Sequence, residues 1–293
     1  MQPSLRNNKY LADDGHYLIR DEPSRFSNYF DWIVTETTVI KNKEIPNTIF
    51  VKTDYLRIFS NTLLHTLREK FIVITGASDY SPPINFKNEY DNIISHPLLI
   101  KWYMTNCLVD HDKVVSYPGG LCHNETSDSI LFELRNSLVK HDSNKILCIW
   151  RNRIFNVCGD EYITRDKVLH FVKQYPDIFD VVAPNFENNE FYKLLSKYKF
   201  VLCPVGNGVD PCPKSFEAII LKTIPILINT LNTKPVYSEL PAIVVDDFKE
   251  VLEMNLDEIY ESYKPSLNDE ETHYKLTCKY WYDRIMNDLH EYP

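Results

Sequence analysis

The chain has 293 residues, about twice the length of a typical domain, so two domains are the first expectation. Apolar residues make up 44% of it and charged residues 25%, which is ordinary for a globular protein with a sizeable core. Its net charge of −9 argues against a nucleic-acid-binding protein, because binding to phosphate backbones needs clustered cations. An anionic ligand must therefore be held by a few local cations.

The cysteines predict free thiols in a reducing compartment. They are odd in number, no pair has C-x-x-C spacing, and several lie inside apolar runs. The seven are Cys107, Cys122, Cys148, Cys158, Cys203, Cys212 and Cys278. The polar N-terminal stretch lacks the apolar segment of a signal peptide, and no apolar run approaches the roughly 20 residues of a membrane span. We therefore expect a cytoplasmic protein, or the soluble part of something larger.

The first half of the chain alternates between strand and helix patterns. Thr48–Lys52 is a short apolar run, and a helical pattern of leucines follows over Leu56–Leu67. Phe71–Thr75 is typical of a buried strand, Pro97 begins a helical stretch through Trp102, and Val114–Pro118 is typical of a further strand. This alternation predicts a parallel sheet covered by helices.

The second half repeats the alternation more clearly and predicts a doubly wound sheet. The predicted strands are Lys145–Trp150, Phe179–Ala183, Phe200–Cys203, Ile224–Ile228 and Ile243–Val245. The predicted helices lie near Arg165–Lys173, Asn189–Lys197, Lys214–Leu221 and Lys234–Leu240, with a last helix over Glu271–His290. Polar stretches at His123–Asp128 and His141–Asn144 are candidates for the joint between the two halves.

The most informative segment, Tyr198–Ile228, has the pattern of a buried strand, a glycine-bearing loop, a helix and a second buried strand. Two of the seven glycines in the chain, Gly206 and Gly208, lie in the loop, where the backbone can approach a ligand closely. Pro213 suits the first turn of a helix, whose free N–H groups favour an anion. These features predict a binding site for a phosphate-bearing ligand.

Lys214 and Glu217 lie three residues apart on the helix that follows this loop, so both side chains project from one face. A cation for a diphosphate and a carboxylate for a ribose hydroxyl pair are what a nucleotide-sugar site requires. The alternative is that Gly-Asn-Gly is only a turn and that Lys214 and Glu217 are a surface lysine and its helical partner.

This segment resembles the donor-binding stretch of exostosin-like glycosyltransferases of the GT-B fold, in particular small soluble members from giant viruses and algae. The shared pattern is Lys-Phe-x-Leu-x-Pro-x-Gly-x-Gly-x-Asp, then a basic residue before a Glu-Ala pair, then an Ile-Pro-Ile strand. The similarity covers most of the chain from about residue 47, including Thr75–Pro82, Trp150–Arg153 and Tyr274–Trp281. The chain departs from the family in having Lys214 where Arg is usual, which loses the bidentate fork, and in its Pro211–Pro213 run.

The resemblance implies an α/β, GT-B-like fold with two Rossmann-like domains and a cleft between them. We expect an acceptor-binding domain over residues 1–122, a nucleotide-sugar-binding domain over 123–265, and a C-terminal helix within 266–293 that packs back on the first domain. The predicted donor-binding residues are Arg151, Arg153, Gly206, Asn207, Gly208, Asp210, Lys214, Ser215 and Glu217.

Arg151 and Arg153 follow the first strand of the second half, at the edge of the sheet where ligands bind in open parallel sheets. Either can supply a second cation for the leaving diphosphate, or both can be surface arginines of a loop. Arg165 can serve in the same way, although the beginning of a helix is the favoured interpretation.

A transferase also needs a group that accepts the proton of the attacking hydroxyl. Asp79, in the loop after Phe71–Thr75, is the first candidate because strand ends face the cleft, and its alternative is a turn-forming aspartate. His123 is the second candidate, and its alternative is a structural histidine near the joint.

Three further motifs bear on the class of enzyme. Asp110-His111-Asp112 matches the D-x-D motif that holds a metal in other glycosyltransferases, but its position between a helical stretch and a strand favours a solvated loop. No G-x-G-x-x-G follows a strand and no G-x-x-x-x-G-K-[ST] is present, so nicotinamide enzymes and P-loop kinases are disfavoured.

The predicted function is transfer of a sugar from a UDP- or GDP-sugar to a hydroxyl of a glycan or other acceptor. The nucleotide sugar is the co-substrate, and no metal, other cofactor or nucleic acid is expected. The cytoplasm is the expected location, that of the host if the protein is viral. The alternatives are a non-catalytic nucleotide-sugar or glycan-binding protein on the same scaffold, and a metal-dependent transferase that uses Asp110 and Asp112.

Overall fold

The computed structural model describes residues 29–35, 38–121, 131, 133–137, 143–151, 157, 164–211 and 213–291. The predicted site residues His123 and Arg153 lie outside these ranges, as do Cys122, Cys158 and Cys212. The remaining four cysteines are buried free thiols, as predicted. Within the described part of the chain, no helix combines the length and the apolar character needed to span a bilayer.

The first sheet has six strands in the order β2-β1-β3-β4-β5-β6. Its strands are β1 (Trp32–Thr35), β2 (Thr38–Lys41), β3 (Thr48–Lys52), β4 (Phe71–Gly76), β5 (Leu99–Met104) and β6 (Val114–Ser116). All neighbours pair in parallel except β2, which pairs antiparallel with β1 at the edge. The strands β3, β4 and β5 are apolar almost throughout because helices or the second half of the chain cover both faces of the sheet.

One face of this sheet is covered by short helices from the first half of the chain. They are α1 (Leu56–Ile58), which continues into a π-helical turn at Phe59–Leu63, then α2 (Pro82–Asn85) and α3 (Lys87–Ile94). Leu56, Phe59 and Ile93 pack against Val73 and Trp102 of the sheet in a core of their own. This packing fixes the loops that leave the carboxyl ends of β4 and β5.

The second sheet has five parallel strands in the order β11-β10-β9-β7-β8. Its strands are β7 (Ser143–Cys148), β8 (Phe179–Val181), β9 (Tyr198–Cys203), β10 (Ile224–Ile228) and β11 (Ile243–Val245). Its helices are α4 (Arg165–Val172), α5 (Asn188–Leu195), α6 (Lys214–Ile220) and α7 (Thr233–Tyr237). The strand order reverses between β7 and β9, which is the point where open parallel sheets bind ligands.

The C-terminal segment returns to the first sheet through α8 (Leu256–Tyr263), α9 (Glu270–Lys275) and α10 (Cys278–Glu291). The ring of Trp281 on α10 packs edge-on against Tyr117, with ring centroids 5.3 Å apart. The Tyr103 hydroxyl on β5 donates a hydrogen bond to Oδ2 of Asp288 at 2.5 Å. The last helix therefore lies against the first sheet.

The predicted α/β class, with a parallel sheet in each half, is confirmed, and so are the predicted strands of the second half to within a few residues. The helix predicted from Pro97 to Trp102 is wrong, because Leu99–Met104 is strand β5. This run lies between β4 and β6 and buries side chains on both faces, so it shows no alternation that would distinguish a strand from a helix. The last helix is also broken, at Leu276 and Thr277.

Candidate functional site

A cavity of about 430 Å³ lies between the two sheets, where the carboxyl ends of their central strands face each other. The first half lines it with Ala77, Ser78, Asp79, Thr105, Asn106 and Gly119. The second half lines it with Ile149, Trp150, Arg151, Arg165, Pro184, Phe186, Phe191, Gly206, Asn207, Gly208, Asp210, Pro213, Lys214 and Glu217. Cavities of this size are typical of small-molecule sites.

Lys214 lies at the point where the strand order of the second sheet reverses. Its Nζ donates hydrogen bonds to the carbonyl oxygens of Ile149, just after β7, at 2.7 Å and of Leu202, in β9, at 2.9 Å. The residue is only 7% exposed, and its Nζ lies 5.5 Å from the centroid of the Trp150 ring. An ammonium has three N–H donors, so one remains for an anion in the cavity.

Glu217 is buried on the same face of α6 as Lys214. Its Oε1 accepts a hydrogen bond from the Tyr192 hydroxyl of α5 at 3.1 Å. Burial raises the pKa of Glu217 to about 7, although the Tyr192 hydrogen bond and the Lys214 charge both act to lower it. The carboxyl group is therefore poised to change its charge near neutral pH.

Arg165 is a cation of the cavity, although the sequence favoured the start of a helix over a binding role for it. It does begin α4, and its Nε also donates to the carbonyl oxygen of Val205 at 2.9 Å while Nη1 donates to that of Arg151 at 3.2 Å. These bonds tie the loop after β7 to the loop after β9. Arg151 lines the cavity too and is exposed, so the second half brings three cations to one wall.

Asp79 is contributed to the cavity by the first half of the chain, from the loop after β4. Its Oδ2 accepts a hydrogen bond from Nδ2 of Asn207 at 2.8 Å. The side chain is exposed, and this contact joins the first half of the chain to the glycine loop of the second half. The first half thus contributes a carboxylate to the cavity whose cations come from the second half.

Gly208 is explained by packing between the two halves. A Cβ atom at this position would lie 2.3 Å from Oδ1 of Asn106 and 2.6 Å from the carbonyl oxygen of Asp79. Gly206 has more room, since a Cβ there would meet only Nη2 of Arg165 at 3.5 Å and the Asp210 carbonyl oxygen at 3.9 Å. The backbone at Gly208 therefore lies so close to the first half of the chain that it leaves no room for a side chain.

Asp210 also links the two halves. Its backbone N–H donates to Oδ1 of Asn106 at 2.8 Å, and its Oδ2 accepts from the Gly119 N–H at 3.1 Å and from Nδ2 of Asn232 at 3.4 Å. Asn106 in turn donates from Nδ2 to the carbonyl oxygen of Ser78 at 2.8 Å. This network holds the loops after β4 and β5 against the glycine loop.

Two residues of the cavity wall have left-handed backbone conformations that residues other than glycine rarely adopt. They are Ala77, directly after β4, with a φ of 58°, and Asn106, two residues after the neighbouring strand β5, with a φ of 54°. Asparagine tolerates this region better than alanine does. Strained residues of this kind concentrate at functional sites, where the surrounding structure holds them in place.

Eight of the predicted site residues meet in the cavity: Asp79, Arg151, Gly206, Asn207, Gly208, Asp210, Lys214 and Glu217. Ser215 does not line it, because it faces the core and its hydroxyl contacts that of Tyr237 at 2.6 Å. The acidic pair Asp110 and Asp112 lies in an exposed turn outside the lining, so the structure gives no support to a metal site there.

Sequence interpretation missed several lining residues, among them Thr105, Asn106, Trp150, Phe186 and Phe191. The local pattern gives no signal for most of them, because their positions depend on how the two halves pack. Asn106 and Thr105 follow a strand that was predicted as a helix, so their place at a strand end was hidden. The three aromatic residues give the second half an apolar surface beside Glu217 and Lys214.

No protein-family model matches the chain, and no curated protein matches it. Solved structures with some likeness include an α1,3-fucosyltransferase, at 16% identity and a TM-score of 0.36, with coverage of 86% of this chain and 70% of that one. Another is a spinosyn rhamnosyltransferase in complex with thymidine diphosphate, at 10% identity and a TM-score of 0.29, with coverage of 84% of this chain and 70% of that one. These are distant likenesses, and we assign no activity to this chain from them.

Proposed function

We propose that the chain is a glycosyltransferase, exostosin-like in its donor-binding segment, that moves a sugar from a UDP- or GDP-sugar to a hydroxyl of a glycan or other acceptor. One observation carries the proposal: a single cavity has three cations on the wall formed by the second half and a carboxylate, Asp79, on the wall formed by the first half. Such a polarised cavity suits a leaving diphosphate on one side and an attacking hydroxyl on the other.

The donor's diphosphate binds at Lys214, Arg165 and Arg151. Positive charge at this position stabilises the developing charge on the leaving diphosphate as the bond to the sugar breaks. Glu217 accepts hydrogen bonds from the ribose hydroxyls, and the aromatic surface that includes Trp150 packs against the nucleoside. Because the cations and the hydrogen-bonding groups perform these tasks, the proposed reaction needs no metal, and turnover should survive treatment with EDTA.

The acceptor binds to the predicted acceptor domain, residues 1–122, whose residues 77–79, 105, 106 and 119 line the cavity. Its hydroxyl oxygen attacks the anomeric carbon, the carbon–oxygen bond to the diphosphate breaks, and the hydroxyl proton passes to the Asp79 carboxylate. Asn207 orients this carboxylate through its hydrogen bond to Oδ2. The cytoplasmic location, the acceptor class and a second catalytic role for His123 stay predictions.

The first test is a thermal-shift titration of the purified protein with UDP, GDP and their common sugar conjugates. A ligand that binds only the folded state at about 100 times its dissociation constant stabilises it by roughly 2.7 kcal/mol. Arg151→Ala should weaken nucleotide binding about ten-fold, because a charge-assisted hydrogen bond contributes roughly 1.5–3 kcal/mol. Arg68→Ala is the matched control, since Arg68 is an exposed arginine outside the cavity lining that bonds to the carbonyl oxygens of His65 and Leu67.

Catalysis is separated from binding by Asp79→Asn, which keeps an oxygen for the Asn207 hydrogen bond but removes the base. This variant should bind the nucleotide as the wild type does and lose transfer or donor hydrolysis. If wild-type protein binds the nucleotide but neither transfers nor hydrolyses the sugar, the non-catalytic binding protein is the better interpretation. If no nucleotide binds, the donor site is assigned wrongly.

A further inference from the structure

Glu217 offers one oxygen of its carboxyl group to the cavity. The side chain belongs to the cavity lining and is 5% exposed, and its Oε1 accepts the hydrogen bond from the Tyr192 hydroxyl at 3.1 Å. Oε2 has no hydrogen-bond partner in the described chain, yet it is not one of the side-chain atoms there that are both unpaired and shut off from solvent. A ligand in the cavity can therefore reach Oε2.

The carboxyl group of Glu217 forms no ion pair with any of the described residues. Lys214, three residues earlier on α6, directs its Nζ to the carbonyl oxygens of Ile149 and Leu202 instead. Burial of a carboxylate without a cationic partner is costly. Burial accordingly raises the pKa of Glu217 to about 7, so a large share of the ligand-free molecules carry the proton at neutral pH.

The proton of the neutral acid lies on the oxygen that the ligand meets. Because Oε1 accepts from Tyr192, the proton belongs to Oε2. A ribose presents two adjacent hydroxyl groups, and a carboxylate can accept from both through charge-assisted hydrogen bonds, which are about twice as strong as neutral ones. The neutral acid uses Oε2 as a donor and forms only neutral hydrogen bonds with the same hydroxyl groups. The ribose therefore favours the charged form of Glu217.

The charged groups around Glu217 do not oppose this change. The Tyr192 hydroxyl on α5 and the Lys214 ammonium on α6 both lower the pKa of Glu217. The other charged residues of the described lining are Arg151, Arg165, Asp79 and Asp210. The diphosphate of a nucleotide sugar brings two negative charges, and the three cations of the lining more than balance them. Its arrival therefore does not hold the proton on Glu217.

We propose that binding of the donor is coupled to the release of a proton: the ribose hydroxyl groups bind the Glu217 carboxylate, the bond between Oε2 and its hydrogen breaks, and the proton passes to the solvent. The inference rests on the proposed function and adds regulation of the same site by pH. Donor affinity is high above neutral pH and falls below it, because the proton must then leave before the ribose can bind the carboxylate.

The test is titration calorimetry of the wild-type protein with UDP-glucose and with GDP-mannose, in phosphate and in Tris buffer, whose ionisation enthalpies differ. Sugar conjugates are used because a free terminal phosphate titrates near neutral pH itself, with a second pKa of about 6. The difference in heat between the buffers should correspond to about half a proton released per ligand at pH 7. The affinity should be about ten-fold higher at pH 8 than at pH 6.

Glu217→Gln keeps an oxygen for the Tyr192 hydrogen bond but has no proton to release, so it should bind with equal heats in both buffers and with an affinity that does not change with pH. Glu89→Gln is the matched control, because Glu89 is 8% exposed, lies outside the cavity lining and is paired with Nε of Arg57 at 3.1 Å. It should keep the proton release. The 2′,3′-dideoxy form of UDP-glucose tests the same point on wild-type protein, and it should bind without proton release.

Three results would overturn the inference while leaving the proposed function intact. They are binding of the conjugates to wild-type protein with equal heats in both buffers, proton release that persists in Glu217→Gln, and equal proton release with the dideoxy conjugate. A protein that binds neither conjugate at any pH between 6 and 8 would instead overturn the proposed function, and the inference with it.

Discussion

The pKa of Glu217 is subject to opposing influences. Burial raises it, whereas the hydrogen bond from Tyr192 and the nearby Lys214 ammonium lower it. Burial disfavours the carboxylate and dominates, so the pKa rises from its ordinary value of 4.5 to about 7. The folded protein therefore keeps the proton over a pH range in which the unfolded chain has already released it. Stability must then fall as the pH rises from about 4.5 to about 7.

Glu217→Gln should remove this pH dependence while keeping an oxygen to accept the Tyr192 hydrogen bond. We expect the variant to match the wild type at pH 4.5 and to exceed it by up to about 3 kcal/mol in free energy of unfolding above pH 7. Urea unfolding of both proteins at pH 4.5, 6 and 8 measures the difference. A difference that is the same at every pH would mean that Glu217 does not titrate as described.

Side chains that share a helix face were the predictable part of the site. Lys214 and Glu217 are three residues apart, so local helix geometry alone places them together. The same geometry turns Ser215 by about 100° from Lys214 and into the core, so its prediction as a donor-binding residue disregarded the helix period. The positions of Arg165 and Thr105 depend on contacts between distant segments, so no local pattern reveals them.

The glycine loop after β9 lines the cavity and also holds the two halves of the chain together. Gly208 touches Asn106 and the Asp79 backbone so closely that any Cβ would collide with them. Asp210, two residues on, bonds to Asn106 and to the Gly119 N–H. The two glycines were predicted to let the backbone approach a ligand closely, whereas at Gly208 the surface that the backbone approaches is protein.

Gly208→Ala should therefore destabilise the protein by at least about 2 kcal/mol, because overpacking a tight contact costs roughly 1–3 kcal/mol and here two backbone segments must move apart. Gly206→Ala is the matched control in the same loop, where the new methyl group meets only ordinary contacts. It should stay within about 1 kcal/mol of the wild type. Equal losses in the two variants would contradict the packing explanation for Gly208.

Strand β5 shows why some elements escape prediction. Its sequence Leu-Ile-Lys-Trp-Tyr-Met is apolar on both faces because Trp102 faces the helices and Tyr103 faces the last helix. A run that is buried on both faces has no period of two, and length alone does not identify it as a strand. The short strands β1 and β2 were not predicted, whereas the bounds predicted for Ile224–Ile228 and Ile243–Val245 are those of β10 and β11.

At the scale of the whole molecule, one hydrophobic core connects the two sheets. It contains Phe50 and Ile74 of the first sheet, Leu147 and Val201 of the second, and side chains of the last helix such as Ile285. The two halves also share hydrogen bonds through Asn106, Asp210 and Asn232 around the cavity. The cavity walls therefore belong to one packed unit, which keeps the cations and Asp79 at a fixed separation.

A shared core predicts that the two halves unfold together. Calorimetry should show a single transition, although chains of this length often unfold in separate steps. Ile285→Ala removes a side chain that is 1% exposed in the shared core, so it should lower the free energy of unfolding by about 2–5 kcal/mol and shift the whole transition. Asn287→Ala, on the exposed side of the same helix, should change it by less than about 0.5 kcal/mol. Two resolved transitions, with only one of them moved by Ile285→Ala, would show that the halves are independent and that the cavity between them can open.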